Sequence, residues 1–458
     1  VTLGGVIAGT GELVKNGAST LTLNGPNTFS GGVGLNAGVL RLGNAGALGT
    51  GALDVGGNAS LDTTAALTLG NTVGLAAGAN LTLLGSNDLT LTAPVFGAGG
   101  LIKDGAARLT LSGANTYAGG TTINNGTLAL GAGGSLAAAG SVTLGNAGAG
   151  FDISAAGANQ TIGTLSGVAG TTLALGANSL TFGSNAAAVF DGEISGTGGL
   201  VKTGTGIQTL SGANAFSGGL ELNGGGLLLG NAGALGTGAL GVGGAVSIDS
   251  TLALNLANAV NFGAGTQLTL GGSNDVTLGG VLSGNGSLVK NGVGLLTLNN
   301  SNTFGGGLTL NGGGLVVGAN GALGTGALNV SSSTTLDAGA AATLGNAVNL
   351  GSGVALTVPG SNALTLTGGV AGNGSLIKGG SATLTLGGTN TFTGGTTINA
   401  GTLALGIGGS LAAAGDVTLG GAGAGFDISA AGSSQTIGAL NGVAGTTVTL
   451  GANSLTFG

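Results

Sequence analysis

The side chains of this 458-residue chain that could do acid–base chemistry are its carboxylates, because the chain contains no cysteine and no histidine. Asp152 and Asp427 occupy the same place in two GFDIS segments, and Asp62 and Asp337 each follow a leucine in two other matching segments. Two carboxylates about 5–10 Å apart can hydrolyse a glycosidic bond. Each of these acids stands alone in its segment, so we predict hydrogen-bonded turn aspartates and no catalytic residue.

The composition excludes several further classes of site. Without cysteine and histidine there is no disulfide, no zinc cluster and no Ser/His/Asp triad, and the calcium-binding nonapeptide GGxGxDxUx does not occur intact. The 14 acidic and 7 basic residues give a net charge of −7, spread thinly along the chain, which provides no basic surface for nucleic acid. We therefore expect no metal, no cofactor, no nucleic-acid partner and no membrane-spanning segment, and we predict that the protein is not an enzyme.

One phrase recurs five times, and each copy contains one lysine and one aromatic residue. The copies lie at 9–32, 97–120, 196–219, 284–307 and 372–395. The lysines are Lys15, Lys103, Lys202, Lys290 and Lys378, and the aromatic residues are Phe29, Tyr117, Phe216, Phe304 and Phe392. We predict that both sets are structural repeat markers, with each lysine stem along apolar surface near a corner and each ring in the core or at a corner. The alternatives are a row of lysines that binds an anionic polysaccharide and a track of rings that stacks on carbohydrate.

The five copies divide the chain into modules of two kinds, which differ in the sequence after the shared phrase. We place the first kind at about 1–88, 184–275 and 276–363, and the second kind, which carries 11 more residues and so a wider or an extra coil, at about 89–183 and 364–458. Residues 1–183 align with 276–458 without a gap, so Val1 corresponds to Val276 and Gly183 to Gly458. Since neither end carries the polar capping repeat that solenoids usually need, we expect the sequence to be a window of a longer repetitive chain.

Alternation of leucine with threonine dominates each module, as in the LTL segments at 21–23 and 384–386. A period of two predicts strands, and glycine and asparagine, which both tolerate positive φ, mark the corners between them. Three such strands make a coil of roughly 22 residues, so a module of the first kind would contain about four coils. Parallel stacking leaves fewer unprotected edges than hairpins would. We predict an all-β fold in which 1–458 form one continuous single-stranded parallel β-helix (β-solenoid) of about 20 coils.

The phrase GxLxKxGxxxLTLxGxNTFxGG, followed by TTINxGTLALG at 97–131 and 372–406, resembles the passenger-associated repeat of bacterial autotransporters. The resemblance extends through the whole chain, because the phrase recurs in every module. It implies that the β-helix is right-handed and that the protein is a passenger exported across the outer membrane. Such passengers commonly serve as an adhesin, an aggregation factor or a stalk.

These observations predict a non-enzymatic structural protein that is extracellular or on the bacterial outer surface. Its low charge removes the repulsion that keeps ordinary proteins apart, so we expect copies to associate laterally or end to end. The resulting fibre would support adhesion, cell–cell aggregation or an extracellular matrix, with contact to a cell surface or a polysaccharide as a further expectation. Two alternatives are a passive stalk that displays a distant adhesive or catalytic domain, and a polysaccharide-active β-helix.

Overall fold

The structure is a computed structural model that describes residues Val1–Gly458, and every regular element in it is a β-strand. The local sequence pattern explains this: in the strand Leu109–Leu111 both leucines are buried and the threonine between them faces outwards. The chain forms no helix that is long and apolar enough to cross a membrane. The strands belong to two compact units, 1–238 and 239–458.

The first unit contains four parallel sheets. Sheet 1a consists of Thr2–Leu3, Thr20–Leu23, Gly38–Leu42, Ala59–Thr63, Asn80–Leu83, Gly100–Lys103, Thr121–Ile123, Val142–Leu144, Leu165–Gly167, Ala188–Phe190, Ile207–Leu210 and Gly226–Leu229. Sheet 1b consists of Leu13–Lys15, Val33–Leu35, Leu53–Val55, Val73–Leu75 and Val95–Gly97. Sheet 1c consists of Leu67–Leu69, Leu89–Leu91, Leu109–Leu111, Thr127–Leu130, Gly150–Asp152, Thr172–Ala174 and Glu193–Ser195, and sheet 1d of Gln160–Thr161, Leu180–Phe182, Leu200–Lys202 and Leu220–Leu222.

The second unit contains five parallel sheets. Sheet 2a consists of Ala245–Ser250, Gln267–Leu270, Ser287–Lys290, Leu308–Leu310, Leu328–Val330, Val348–Leu350 and Val370–Gly372. Sheet 2b consists of Leu254–Leu256, Val276–Leu278, Leu295–Leu298, Gly314–Val317, Thr334–Ala338, Ala355–Val358, Ser375–Lys378, Thr396–Ile398, Val417–Leu419 and Leu440–Gly442. Sheet 2c consists of Ala342–Leu344, Leu364–Leu366, Leu384–Leu386, Thr402–Leu405, Gly425–Asp427 and Thr447–Thr449, sheet 2d of Leu240–Val242, Val260–Phe262 and Leu282–Gly284, and sheet 2e of Gln435–Thr436 and Leu455–Thr456.

Within each unit, neighbouring strands of a sheet come from successive turns of the chain. In sheet 1a, Leu81 pairs with Leu101, and Leu101 pairs with Thr121. In sheet 2a the step from Leu288 to Leu308 is the same. Parallel pairing of successive turns at separations of 19 to 23 residues is the pattern of a β-solenoid. The predicted fold class is therefore confirmed, with a turn of about 20 residues where the sequence suggested roughly 22.

Aliphatic side chains fill the interior, and glycine makes the corners that need positive φ. Leu101 and Leu109 are each 1% exposed. Gly97 has a φ of 110°, and a Cβ there would lie 2.1 Å from the carbonyl oxygen of Leu75 in the preceding turn, so no other residue fits. No residue other than glycine has a positive φ. Asparagine also lies at corners, as Asn36 and Asn124 do, but without the expected positive φ. The side chains of these two residues donate hydrogen bonds to the preceding turn.

Candidate functional site

The five repeat lysines are buried, and their ammonium groups bind backbone carbonyl oxygens. Lys378 is 0% exposed, and its Nζ donates to the carbonyl oxygens of Gly379 at 3.1 Å, Gly380 at 2.5 Å and Ala400 at 3.2 Å. In four of the lysines, Nζ also donates to the backbone carbonyl oxygen of the residue 22 positions later; these are Lys15, Lys103, Lys202 and Lys378. These contacts join successive turns and hold the charges inside the fold, so the lysines do not form an accessible row for an anionic polysaccharide.

Lysines of successive modules lie on different sheets, because a module is not a whole number of turns. In sheet 1b, the register partners of Lys15 on successive turns lead to Gly97, four turns later. Lys103, the next module lysine, lies in the following strand, which belongs to sheet 1a. The same step separates Lys290 in sheet 2a from Lys378 in sheet 2b. A module of the first kind therefore contains four full turns and one additional strand on the next face, whereas the sequence predicted four whole turns.

Burial lowers the pKa of four repeat lysines below its ordinary value, because desolvation penalises the charged ammonium. These lysines are Lys103, Lys202, Lys290 and Lys378. Nearby carboxylates oppose the effect at some of them, as Asp104 and Asp88 do at Lys103, without reversing it. The unfolded chain therefore holds these protons more tightly than the folded chain does.

The repeat aromatic residues are also buried, with Phe29, Tyr117, Phe216, Phe304 and Phe392 all at most 2% exposed. A ring at this depth offers no face to carbohydrate. The Tyr117 hydroxyl shares a hydrogen bond of 2.6 Å with Oγ1 of Thr121, and burial raises the pKa of Tyr117 well above its ordinary value. Phe304 lies against Phe262, with ring centroids 5.7 Å apart.

Sequence reasoning missed a third residue of the phrase, the asparagine two positions before each ring. Each of these side chains accepts a backbone N–H from the preceding turn at 2.8–3.0 Å and donates to a carbonyl oxygen of the following turn at 2.6–2.8 Å. The residues are Asn27, Asn115, Asn214, Asn302 and Asn390. Their fixed place before the buried ring in every copy of the phrase was the available signal, since a buried amide must find partners.

Asp152 is held by an ion pair and a turn hydrogen bond. Its Oδ2 lies 2.7 Å from Arg108 Nη2, and its Oδ1 accepts from the Ser154 hydroxyl at 2.6 Å. Burial raises the pKa of Asp152, but the hydrogen bonds from Ser154 and Arg108 together outweigh it and leave the pKa below its ordinary value. Asp427, its counterpart in the second copy of the sequence, has Thr383 in the position of Arg108.

Asp62 is held in the same manner, by Arg41 and a serine. Its Oδ2 lies 3.1 Å from Arg41 Nε and accepts from the Ser86 hydroxyl at 3.0 Å. Its counterpart Asp337 has Val316 in the position of Arg41. No group of three or more acidic, histidine or cysteine residues could hold a metal ion. In the structure, Asp62 and Asp152 take part in ion pairs and hydrogen bonds within the fold.

Parallel turns of about 20 residues, joined by a lysine and an asparagine at a recurring phrase, define a β-solenoid repeat protein. Five segments match the family model described as Passenger-associated-transport-repeat, at residues 13–42, 101–130, 200–229, 288–317 and 376–405. The chain therefore carries five passenger-associated-transport repeats, as the sequence predicted.

A stretch of the chain is also similar to a much longer protein. Over 119 residues it is 33% identical to the protein named "Adhesin BmaC autotransporter" from Brucella suis biovar 1 (strain 1330). This stretch comprises 26% of the present chain and only 4% of the length of that protein. The repeat family and this relative together support a structural passenger domain of a protein that is exposed at the cell surface or secreted.

Proposed function

We propose that the protein is a non-enzymatic, extracellular structural passenger whose solenoid surfaces associate with other copies. Such association would support adhesion, cell–cell aggregation or an extracellular matrix. The repeat family and the adhesin name of the relative favour this class of function. The observation that carries the proposal is the scarcity of charge on the outward rows of side chains.

Sheet 2c illustrates these outward rows. Thr343, Thr365, Thr385 and Ala404 are in register on four successive strands, and the apolar residues on either side of each one are buried. Neighbouring strands lie about 4.8 Å apart. These four positions therefore present methyl and hydroxyl groups at close, regular spacing without a charge, and the first carboxylate in the row is Asp427, the register partner of Ala404 on the next strand.

Such a row suits contact with an identical surface. A threonine hydroxyl both donates and accepts hydrogen bonds, so the row of one copy can satisfy the row of another. Contact over these four strands buries no charge, and burial of a charge would oppose association strongly. Ordinary soluble proteins avoid contact of this kind by carrying about five times as large a charged fraction as the 5% found here.

Clumping of coated beads tests the proposal. Beads that carry the purified chain should clump, whereas beads that carry the double variant Thr365→Asp/Thr385→Asp should stay dispersed at low salt. Beads that carry the neutral control Thr365→Asn/Thr385→Asn should clump. Beads that carry the aspartate variant should clump again at about 1 M salt, because the Debye length falls to about 3 Å and the repulsion between carboxylates is screened. Circular dichroism verifies that each variant keeps its strands.

Two results would contradict the proposal. Wild-type beads that stay dispersed would contradict self-association and favour the passive stalk. Hydrolysis of a polysaccharide that is abolished by Asp152→Asn and Asp427→Asn would contradict the non-enzymatic role.

A further inference from the structure

The outer face of sheet 1b contains an open groove of about 440 Å³. The outward positions of its five strands are occupied, in register, by Val14, Gly34, Asp54, Gly74 and Phe96. A larger side chain alternates with glycine from one turn to the next, so each glycine leaves a depression between two side chains. Over four steps of about 4.8 Å, the row extends for about 19 Å.

An aromatic ring and two carboxylates lean into these depressions. Phe96 is 42% exposed, and its Cζ lies 3.4 Å from the point that a Cβ on Gly74 would occupy. Asp54 Oδ1 lies 2.6 Å from that same point, and Glu12 Oε1 lies 2.6 Å from the corresponding point at Gly34. A side chain at either glycine would displace these groups. The glycines therefore allow one ring and two carboxylates to lie along the floor of the groove.

The second copy of the sequence, at 276–458, fills the same row. Thr309 stands in the place of Gly34, Asn349 in the place of Gly74, and Ala371 in the place of Phe96. Asn349 Nδ2 donates to Asn329 Oδ1 at 2.8 Å, so two hydrogen-bonded amides stand where sheet 1b has Gly74 beside Asp54. The strands of the second copy thus stack in parallel with other side chains in this row. Local features that a fold does not need are candidates for a binding role.

We propose that this groove binds a neutral oligosaccharide. The exposed Phe96 ring can cover the apolar C–H face of a pyranose, and the Glu12 and Asp54 carboxylates can accept hydrogen bonds from its hydroxyl groups. No basic residue lines the groove, so an anionic sugar would be repelled by both carboxylates. The volume lies within the range of small-ligand sites, which combine an apolar surface with a few polar groups.

This binding site is independent of the self-association proposed above. It uses side chains of sheet 1b, whereas the bead experiment changes threonines of sheet 2c. A chain whose beads clump but which binds no sugar would contradict the oligosaccharide site alone. A chain that binds sugar but does not clump would contradict self-association alone.

Isothermal titration calorimetry on the full chain tests the site. The probes are cellohexaose, which is neutral, and a hexamer of galacturonic acid, which is anionic. Cellohexaose should bind the wild type, and Phe96→Ala and Gly74→Asn, which copy Ala371 and Asn349 of the second copy, should each weaken binding about tenfold or more. The control Ile407→Ala removes a side chain that is 88% exposed elsewhere and copies Ala132, so it should leave binding unchanged.

Three outcomes would overturn the proposal. The first is no heat of binding with cellohexaose at millimolar concentration. The second is equal affinity of the wild type, Phe96→Ala and Gly74→Asn for cellohexaose. The third is tighter binding of the galacturonic acid hexamer than of cellohexaose.

Discussion

The side-chain amide of Asn302 donates to the carbonyl oxygen of Ala322, in the following turn of the chain, at 2.6 Å. On its other side, the same amide accepts from the backbone N–H of Leu282, in the preceding turn, at 2.8 Å. One buried residue thus fixes the relative position of three turns. Its equivalents recur once in every module, so the recurring phrase encodes contacts between turns as well as the local strand.

Replacing Asn302 with alanine should destabilise the turns on either side of it. The change leaves the N–H of Leu282 and the carbonyl of Ala322 buried without their partner, at a cost of about 1–3 kcal/mol for each group. We expect a lower urea midpoint and faster amide hydrogen exchange at Leu282. The exposed Asn291, which accepts from Asn311, serves as control, and Asn291→Ala should change the midpoint little. Equal effects of the two substitutions would contradict the role of Asn302.

Replacing Arg108 with threonine, the residue at the equivalent position 383, should remove an acid-sensitive contribution to stability. The ion pair with Asp152 is half-exposed, so the loss at neutral pH should be at most about 1 kcal/mol. The pKa of Asp152 is lowered in the folded state, so the contribution is present above the ordinary carboxyl pKa and disappears as pH falls through the folded-state value. Urea midpoints of wild type and variant should therefore differ at pH 7 and converge in acid.

The reciprocal substitution offers a matched control. Thr383→Arg places an arginine where it can reach Asp427, as Arg108 reaches Asp152. It should raise the urea midpoint at neutral pH by a similar small amount, and the gain should also fade in acid. A difference between wild type and Arg108→Thr that persists unchanged at pH 2 would show that the ion pair is not its cause.

Stability should rise with pH on the alkaline side once Tyr117 is replaced by phenylalanine, the residue at the other four repeat positions. The pKa of a buried lysine is lowered, so between the folded-state value and about 10.4 the unfolded chain binds more protons than the folded chain. Raising the pH through that window therefore favours folding. The lysines concerned are Lys103, Lys202, Lys290 and Lys378.

The tyrosine must be removed because it acts in the opposite direction. Its pKa is raised by burial, so ionisation above about pH 10 favours the unfolded chain. The urea midpoint of Tyr117→Phe should increase from pH 8 to pH 10, and more steeply than that of the wild type toward the upper limit. A midpoint of Tyr117→Phe that falls over this range would mean that the carbonyl oxygens hold the ammonium groups more strongly than burial disfavours them.

The strands and the fold class could be predicted from the sequence because they depend on local pattern. The alternation at 109–111 gives two buried leucines and one outward threonine without reference to the rest of the chain. The length of a turn is harder to predict from the sequence, because a repeating module does not contain a whole number of turns. Lys15 and Lys103 lie on different sheets, and their angular positions depend on every corner between them.

Contacts between turns could not be predicted from the sequence, since they depend on register. Arg108 and Asp152 are far apart in the chain and meet because Ala129 occupies the strand between them. Phe96 and Asp54 likewise lie on either side of Gly74 only when turns of about 20 residues are stacked. Neither pairing has a sequence motif.

Disulfide formation between engineered cysteines tests the stacking of turns most directly, since the chain has no cysteine of its own. Thr365 and Thr385 are register partners on parallel strands, at a spacing of about 4.8 Å that a disulfide can bridge. The double variant Thr365→Cys/Thr385→Cys, oxidised in dilute solution, should form an intramolecular disulfide nearly completely. The out-of-register pair Thr365→Cys/Thr383→Cys should keep most of its thiols free, as measured by alkylation and mass spectrometry. Free thiols in the first pair, or equal disulfide yields in both, would contradict a solenoid of stacked parallel turns.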